Sequence, residues 1–248
     1  MRNINVLQNP DEVQILLPIE SNVKVYLFTN VKTQNKHITK VLKRVEIGFS
    51  GIENNLWRFQ LICLEYQIDA KHLGSTNISR KVAHVFNEVK VYVNQNGTVM
   101  SIINLKQLQE RWQNAKVALL DMNEGSTLLD FFQDTDELLE NHENVLKFIS
   151  SKEMYGLYFN SFWGYHDINK PRFEGLDINI EKRIPYDQHT QHLQKPYSQD
   201  ATLSLKIQNE KKQKESEFKY KNNLLHEAYL EIKTPIKTSK YSIICLTT

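Results

Sequence analysis

Glycine and cysteine are scarce in this chain, and their scarcity excludes several kinds of functional site. Only eight of the 248 residues are glycine and two are cysteine. Phosphate-binding loops depend on clustered glycines, and no such motif occurs here. Cys63 and Cys245 lie in apolar, strand-like runs, where we expect free, buried side chains and not reactive thiolates. A disulfide between neighbouring strands remains an alternative, because sequence alone cannot assign pairing.

Excess charge and long apolar runs are also lacking. The net charge is only +2, from 31 basic and 29 acidic residues, which argues against an electrostatic surface for nucleic acid. No apolar run approaches the roughly 20 residues that span a bilayer. The first residues also lack the apolar core of a signal peptide. We therefore expect a globular, cytoplasmic protein that neither crosses a membrane nor binds nucleic acid.

The first hundred residues carry the alternation of β-strands. Runs rich in β-branched and aromatic residues, separated by turn sequences, span residues 23–30, 38–49, 55–68 and 82–93. In the second run the apolar side chains share one face: Val41, Val45, Ile47 and Phe49. Lysine and arginine occupy mostly the opposite face, as expected of a sheet with one solvated side. Asn94 to Gly97 then predicts a hairpin turn, since Asn and Gly tolerate positive φ.

The period changes after Asn104, where helices are predicted. An apolar stripe follows 3-4 spacing through Leu105, Leu108, Trp112, Ala115, Leu119 and Met122. Asn104 is a candidate N-cap, with Gln107 as its capping-box partner. A second helical region begins near Ser126 or Thr127. Acidic residues around Thr135 resemble a new helix N-terminus, so we expect a break there and two short helices.

Strands followed by helices and more strands predict an α+β fold. We expect a curved, mainly antiparallel and half-barrel-like sheet packed on a central pair or trio of α-helices. A single domain of residues 1–248 would comprise β structure at 20–103, helices at 104–152, an aromatic junction at 153–173 and β structure at 174–248. A two-domain split near residues 164–170 is the alternative.

The motifs that resemble metal or catalytic sites are weak. His189 and His192 form an H-x-x-H pair, but zinc needs further ligands, so we expect solvated loop histidines. Glu231 and Lys233 match the E-x-K element of metal-dependent nucleases. The exposed face of any strand produces this pattern often. We therefore assign no catalytic residue, metal site or cofactor, and regard an enzyme as the less favoured alternative.

The densest aromatic stretch runs from Tyr155 to Phe173 and holds seven aromatic residues. Aromatic side chains dominate many protein interfaces, because a ring buries much area when a partner binds. On this basis Tyr158, Phe162, Trp163 and Tyr165 are the predicted partner-binding residues. They cannot all face one way, so some of them must lie in the core, and closure of the core is the leading interpretation of the segment.

These observations support three functional hypotheses. The first is a non-enzymatic interaction module, such as an adaptor, chaperone, immunity protein or subunit of a multi-protein assembly. It would bind a protein partner through the aromatic segment and a sheet edge. The second is a carrier that holds a small apolar ligand in a cavity between the sheet and the helices. The third is a metal-dependent hydrolase or nuclease.

Overall fold

Eleven strands and five helices form the part of the chain that the computed structural model describes. The described residues are 12–15, 17, 23–35, 37–70, 76–120, 126–161, 163–167, 202–208, 214–221 and 224–247. The strands are β1 (Glu12–Ile15), β2 (Lys24–Gln34), β3 (His37–Glu53), β4 (Leu56–Ala70), β5 (Glu88–Val93), β6 (Val99–Ile102), β7 (Gly164–Asp167), β8 (Thr202–Gln208), β9 (Lys214–Lys221), β10 (Leu224–Lys233) and β11 (Lys237–Cys245). The helices are α1 (Thr76–Val85), α2 (Leu105–Leu120), α3 (Ser126–Glu140), α4 (His142–Ile149) and α5 (Gly156–Phe159).

An open, nine-stranded antiparallel sheet dominates the fold, which confirms the α+β class and the antiparallel pairing. The strand order is β6-β5-β4-β3-β2-β11-β10-β9-β8, and β1 pairs separately with β7. The last strand, β11, lies beside β2, so strands from both ends of the chain share one sheet. Closure into a half-barrel around the helices and a single domain over the whole chain stay predictions.

Asparagine and glycine make the tight turns of the sheet. Asn54 and Asn55 connect β3 to β4 with φ values of 50° and 62°, a conformation that asparagine tolerates better than most residues. Gly97 has a φ of 83° in the turn between β5 and β6. In that turn the Asn94 side chain accepts hydrogen bonds from the backbone N–H groups of Asn96 and Thr98. The predicted hairpin at Asn94 to Gly97 is therefore confirmed.

The strand predicted at residues 82–93 is wrong in its first part, where the chain forms the end of α1. Val82 and Val85 are three residues apart, a spacing that suits one face of a helix, although the sequence also invites a strand. Val85 and the following Phe86 are buried, and the strand begins only at Glu88. Packing of the helix on its neighbours therefore outweighs the β-propensity of valine.

The helical region follows the predicted stripe but breaks at a different place. Leu108, Trp112 and Leu119 of α2 are buried. Helix α3 continues through Thr135 to Glu140, so the predicted break at Thr135 is wrong. Asp136 does not cap a new helix, because its carboxylate accepts a hydrogen bond from Trp112 Nε1 at 2.6 Å.

The observed break between α3 and α4 lies at Asn141. Its side-chain oxygen accepts a hydrogen bond from the backbone N–H of Glu143 at 2.8 Å and caps α4. Asn104 precedes α2 as predicted, but its side chain bonds to the backbone of Glu88 and Lys90 and ties the helix start to β5. Among the described helices, none is both long and apolar enough to cross a bilayer.

Candidate functional site

The aromatic segment lies in the hydrophobic core. Tyr158 is 1% exposed and Trp163 is 4% exposed. The Tyr158 ring meets Tyr26 of β2 edge to face at 5.1 Å, and Trp163 meets Tyr220 of β9 in the same way at 5.8 Å. In this conformation neither ring is accessible to a partner, and both close the core against the sheet. A surface role for them would require the core to open.

The side chains of the other two predicted partner-binding residues are not described. Phe162 lies outside the described residues. Tyr165 belongs to β7, where its backbone pairs with Gln14 of β1, and its side chain is outside the described part. The structure thus brings Tyr158 and Trp163 together through a hydrogen bond from Trp163 Nε1 to the Tyr158 carbonyl at 2.9 Å. It does not show a surface formed by all four residues.

The turn between β5 and β6 packs against the aromatic segment. A Cβ atom on Gly97 would lie 2.2 Å from Trp163 Cδ1 and 2.5 Å from the Phe159 carbonyl oxygen. Only glycine fits at this distance. The close approach helps to hold the aromatic segment on the sheet.

A cleft of about 280 Å³ opens between the sheet and the helices. Its sheet wall comes from β2, β3 and β4, and includes Asn30, Lys32, Val41, Lys43, Cys63 and Tyr66. Its helical wall is apolar and consists of Val82, Ala83, Phe86, Phe131 and Phe148. The connection from α4 to α5 closes one side with Glu153, Met154 and Tyr155. One wall is therefore hydrocarbon, and the other carries the polar groups.

Lys43 is the most unusual residue in the cleft. It is half-buried, and its Nζ donates hydrogen bonds to the Glu153 backbone carbonyl and to Met154 Sδ, each at 2.9 Å. The ammonium group also lies 6.0 Å from the centre of the Tyr155 ring. Burial lowers the pKa of Lys43 from its ordinary 10.5 to about 8, although nearby acidic groups oppose the shift.

Strand alternation explains why Lys43 faces inward. Residues of the same parity on β3, Val45 and Ile47, are buried, so position 43 lies on the core face. On β4, Leu64 has no partner on β3, because Arg44 pairs with Glu65 and Val45 pairs with Cys63. This β-bulge shifts the alternation, so that Cys63 and Tyr66 both reach the cleft.

The carboxylate of Glu153 lines the same cleft as Lys43, but it is engaged elsewhere. Its carboxylate lies 3.3 Å from Lys32 Nζ and accepts a hydrogen bond from the Tyr241 hydroxyl at 3.1 Å. Burial acts to raise the pKa of Glu153, but the charge of Lys32 and the hydrogen bonds outweigh it and hold the pKa below its usual value. The carboxylate is therefore ionised at neutral pH.

Further polar groups that line the cleft include Cys63, Tyr66 and Asn30. Burial raises the pKa values of the Cys63 thiol and the Tyr66 hydroxyl, so both are neutral near pH 7. The Asn30 side-chain oxygen is buried and has no hydrogen-bond partner among the described residues. A buried acceptor without a donor costs free energy until a ligand or water supplies one.

Of the motifs that resembled metal sites, only the E-x-K pair at Glu231 and Lys233 lies in the described part of the chain. In the described part of the chain, no three His, Cys, Asp or Glu side chains group in a way that could hold a metal ion. His189 and His192 lie outside the described residues. Glu231 is 8% exposed and lies 3.4 Å from both Lys233 and Lys240, an arrangement of ion pairs on β10 and β11. Cys63 and Cys245 are both free thiols, so the alternative of a disulfide between them is wrong.

Sequence reasoning missed Lys43, although a signal was present. Lys43 has the same parity as Val41, Val45 and Ile47, the residues predicted to share the buried face. A charged residue within an otherwise apolar face is the observation that would have identified the cleft. The cleft lies between the sheet and the helices, where the carrier hypothesis expects a cavity.

Comparison with known proteins assigns the chain to no family. No family model matches the chain, and no curated protein matches it. A solved structure concerned with lipid–protein interactions in lipovitellin is similar at a TM-score of 0.40 and 8% sequence identity. The match covers 96% of this chain and only 25% of the lipovitellin chain. A likeness this distant carries no functional inference.

Proposed function

We propose that the protein is a carrier that binds a small, mainly apolar molecule in the cleft between the sheet and the helices. The observation that carries this proposal is the cleft itself, with an apolar helical wall facing a sheet wall that holds a few polar groups. Ligand sites are typically concave, mostly apolar and equipped with a few polar groups that orient the ligand. The division of the walls favours a molecule with a hydrocarbon body and one polar end.

The size of the cleft limits the ligand. Its volume of about 280 Å³ lies near the lower end of the usual range for ligand sites, which begins at about 300 Å³. A water molecule occupies about 30 Å³ in the liquid, so the cleft offers the space of roughly nine waters. A methylene group has a similar volume, and we therefore expect a ligand with about eight to ten non-hydrogen atoms inside the cleft.

Native mass spectrometry of the purified chain tests the proposal. We expect a bound species a few hundred daltons or less above the apo mass, which organic extraction releases for identification. Filling the cleft should abolish that species. Val82→Phe places a larger side chain in the helical wall, and Val117→Phe is the matched control on the exposed surface of α2.

The comparison of the two variants gives a clear result. Loss of the bound species in Val82→Phe and its retention in Val117→Phe would support a ligand in the cleft, provided that circular dichroism shows both variants folded. A bound species retained equally in both variants would contradict this location. A clean apo mass for the unmodified chain, together with no uptake of added amphiphiles, would contradict the carrier function.

Protein binding through a sheet edge is a second proposal, and one observation favours it. Strand β8 has seven residues and ends the sheet, and among the described strands only β9 pairs with it. An open edge of this length can accept a strand from a partner. The proposal covers the predicted interaction module within a cytoplasmic assembly, with β8 as its binding edge, since Tyr158 and Trp163 are buried.

A proline substitution tests the edge. Leu205→Pro removes a backbone donor in the middle of β8, and Ile236→Pro, in the exposed turn before β11, is the control. If β8 binds a partner, the partner should be lost from Leu205→Pro and retained by the control. Equal recovery with both variants would contradict binding at this edge.

A further inference from the structure

Lys43 brings a positive charge into the cleft without a carboxylate beside it. Among the described residues, none places a carboxylate oxygen within 4.0 Å of Lys43 Nζ, and its two hydrogen-bond acceptors are a backbone carbonyl and a thioether. An ammonium group has three N–H donors. Acceptors in the described part of the chain use two of them, which leaves one N–H for a group inside the cleft.

The surrounding groups leave this charge unbalanced. The other titratable side chains that line the cleft are Lys32, Cys63, Tyr66, Glu153 and Tyr155. Glu153 is held by Lys32 and Tyr241, and the thiol and both tyrosine hydroxyls are neutral because burial raises their pKa values. The described residues of α1, α3 and α4 add only apolar side chains to the lining. Counted over the described lining residues, the cleft therefore carries two lysines against one carboxylate.

We propose that the ligand is an apolar acid whose carboxylate accepts a hydrogen bond from Lys43 Nζ while its hydrocarbon chain lies against Val82 and Phe131. This inference rests on the proposed function, since it requires that the cleft holds an apolar molecule. A carboxylate supplies the missing counter-charge, and charge-assisted hydrogen bonds of this kind are stronger than neutral ones. An amine of the same length would add a third positive charge to the cleft.

Acid binding should depend on pH in one direction. In the empty cleft, burial holds the pKa of Lys43 at about 8, and a bound carboxylate raises it because an opposite charge favours the protonated amine. The affinity for the acid is therefore highest below pH 8. It falls as the pH rises above 8, since the empty protein must then take up a proton to bind the carboxylate. Between pH 7 and pH 9 the expected loss is about tenfold for a bound-state pKa above 10.

Isothermal titration calorimetry with three probes of equal chain length tests the inference. Octanoate, octan-1-ol and octylamine have about ten non-hydrogen atoms each, which suits the cleft. We expect octanoate to bind at least tenfold more tightly than octan-1-ol at pH 7, and octylamine to bind most weakly. Lys43→Met should remove the preference for octanoate and its pH dependence, but should leave the affinity for octan-1-ol within about twofold. Lys40→Met, on the exposed face of the same strand, is the control and should behave as the unmodified chain.

The outcomes separate this inference from the proposed function. If octan-1-ol binds as tightly as octanoate, or Lys43→Met retains the preference for the acid, the role of Lys43 is refuted and the carrier function stands. If octanoate binding is lost in Val82→Phe and weakened in Lys43→Met, both are supported. If none of the three probes binds at millimolar concentration and the native mass is that of the apo chain, both are refuted.

Discussion

Replacing Lys43 by methionine should stabilise the protein at neutral pH and should remove one component of its pH dependence. Methionine retains the unbranched, apolar stem of the lysine and fills the same space without the charge. The folded chain holds the Lys43 ammonium in the cleft, where burial lowers its pKa to about 8. The unfolded chain leaves it in water with the ordinary pKa of 10.5. The charged amine therefore opposes folding below pH 8.

The magnitude follows from proton linkage. Between pH 8 and pH 10.5 the unfolded chain binds a proton at this site that the folded chain does not, so the free energy of unfolding rises with pH. From pH 7 to pH 9 Lys43 adds about 1.4 kcal/mol to the free energy of unfolding, because the ratio of proton binding by the unfolded chain to proton binding by the folded chain changes about tenfold. Lys43→Met lacks this gain. Its stability advantage over the unmodified chain should therefore shrink by about 1.4 kcal/mol across this range.

Urea denaturation at pH 7, 8 and 9 measures this change. The difference in unfolding free energy between the unmodified chain and Lys43→Met should vary with pH as stated. The corresponding difference for Lys40→Met should stay constant, since Lys40 is exposed on the opposite face of β3. In thermal unfolding the effect corresponds to about 3–6 °C for a chain of this size. A difference for Lys43→Met that stays constant between pH 7 and pH 9 would refute the burial of a charged Lys43.

Two further predictions concern the aromatic segment and the turn that packs on it. Trp163→Ala should lower the unfolding free energy by about 3–5 kcal/mol, because it empties a buried site, whereas Leu129→Ala, at a position 60% exposed, should change it by less than about 0.5 kcal/mol. Urea denaturation checks both, and a small effect of Trp163→Ala would mean that the ring is not part of the core. Gly97→Ala should cost more than Gly51→Ala in the same assay. Both glycines have positive φ, but only at Gly97 would a Cβ atom collide with the Phe159 carbonyl. Equal costs would contradict the close packing of the turn.

The antiparallel α+β architecture could be predicted because its signals are local. The Asn94 to Gly97 turn and the spacing of Leu108 and Trp112 depend only on residues near each other in sequence. Two boundaries were not predictable in this way. Val82 to Val85 suits a helix or a strand, and tertiary packing decides in favour of the helix. Asp136 resembles a cap, but it bonds across to α2, and the sequence does not show this contact.

The cleft was predicted only as a possibility, for a physical reason. Its walls come from β2 to β4 and from three helices that are far apart in sequence, so its volume depends on packing between distant elements. The inward position of Lys43 follows from strand parity, but lysine is rarely found on a core face. The bulge at Leu64 cannot be read from alternation alone, because it interrupts that alternation. The aromatic segment left both core closure and a binding surface open, because composition does not distinguish a core from an interface.

A residue-resolved NMR titration with octanoate tests the central claim most directly. Binding in the cleft predicts that the largest chemical-shift changes cluster on both walls, at Val82, Ala83 and Phe131 on the helices and at Lys43 and Cys63 on the sheet. The same changes should be absent in Val82→Phe. Changes confined to the exposed residues of the chain, or to the β8 edge, or no saturable change at all, would contradict a ligand-binding cleft at this place.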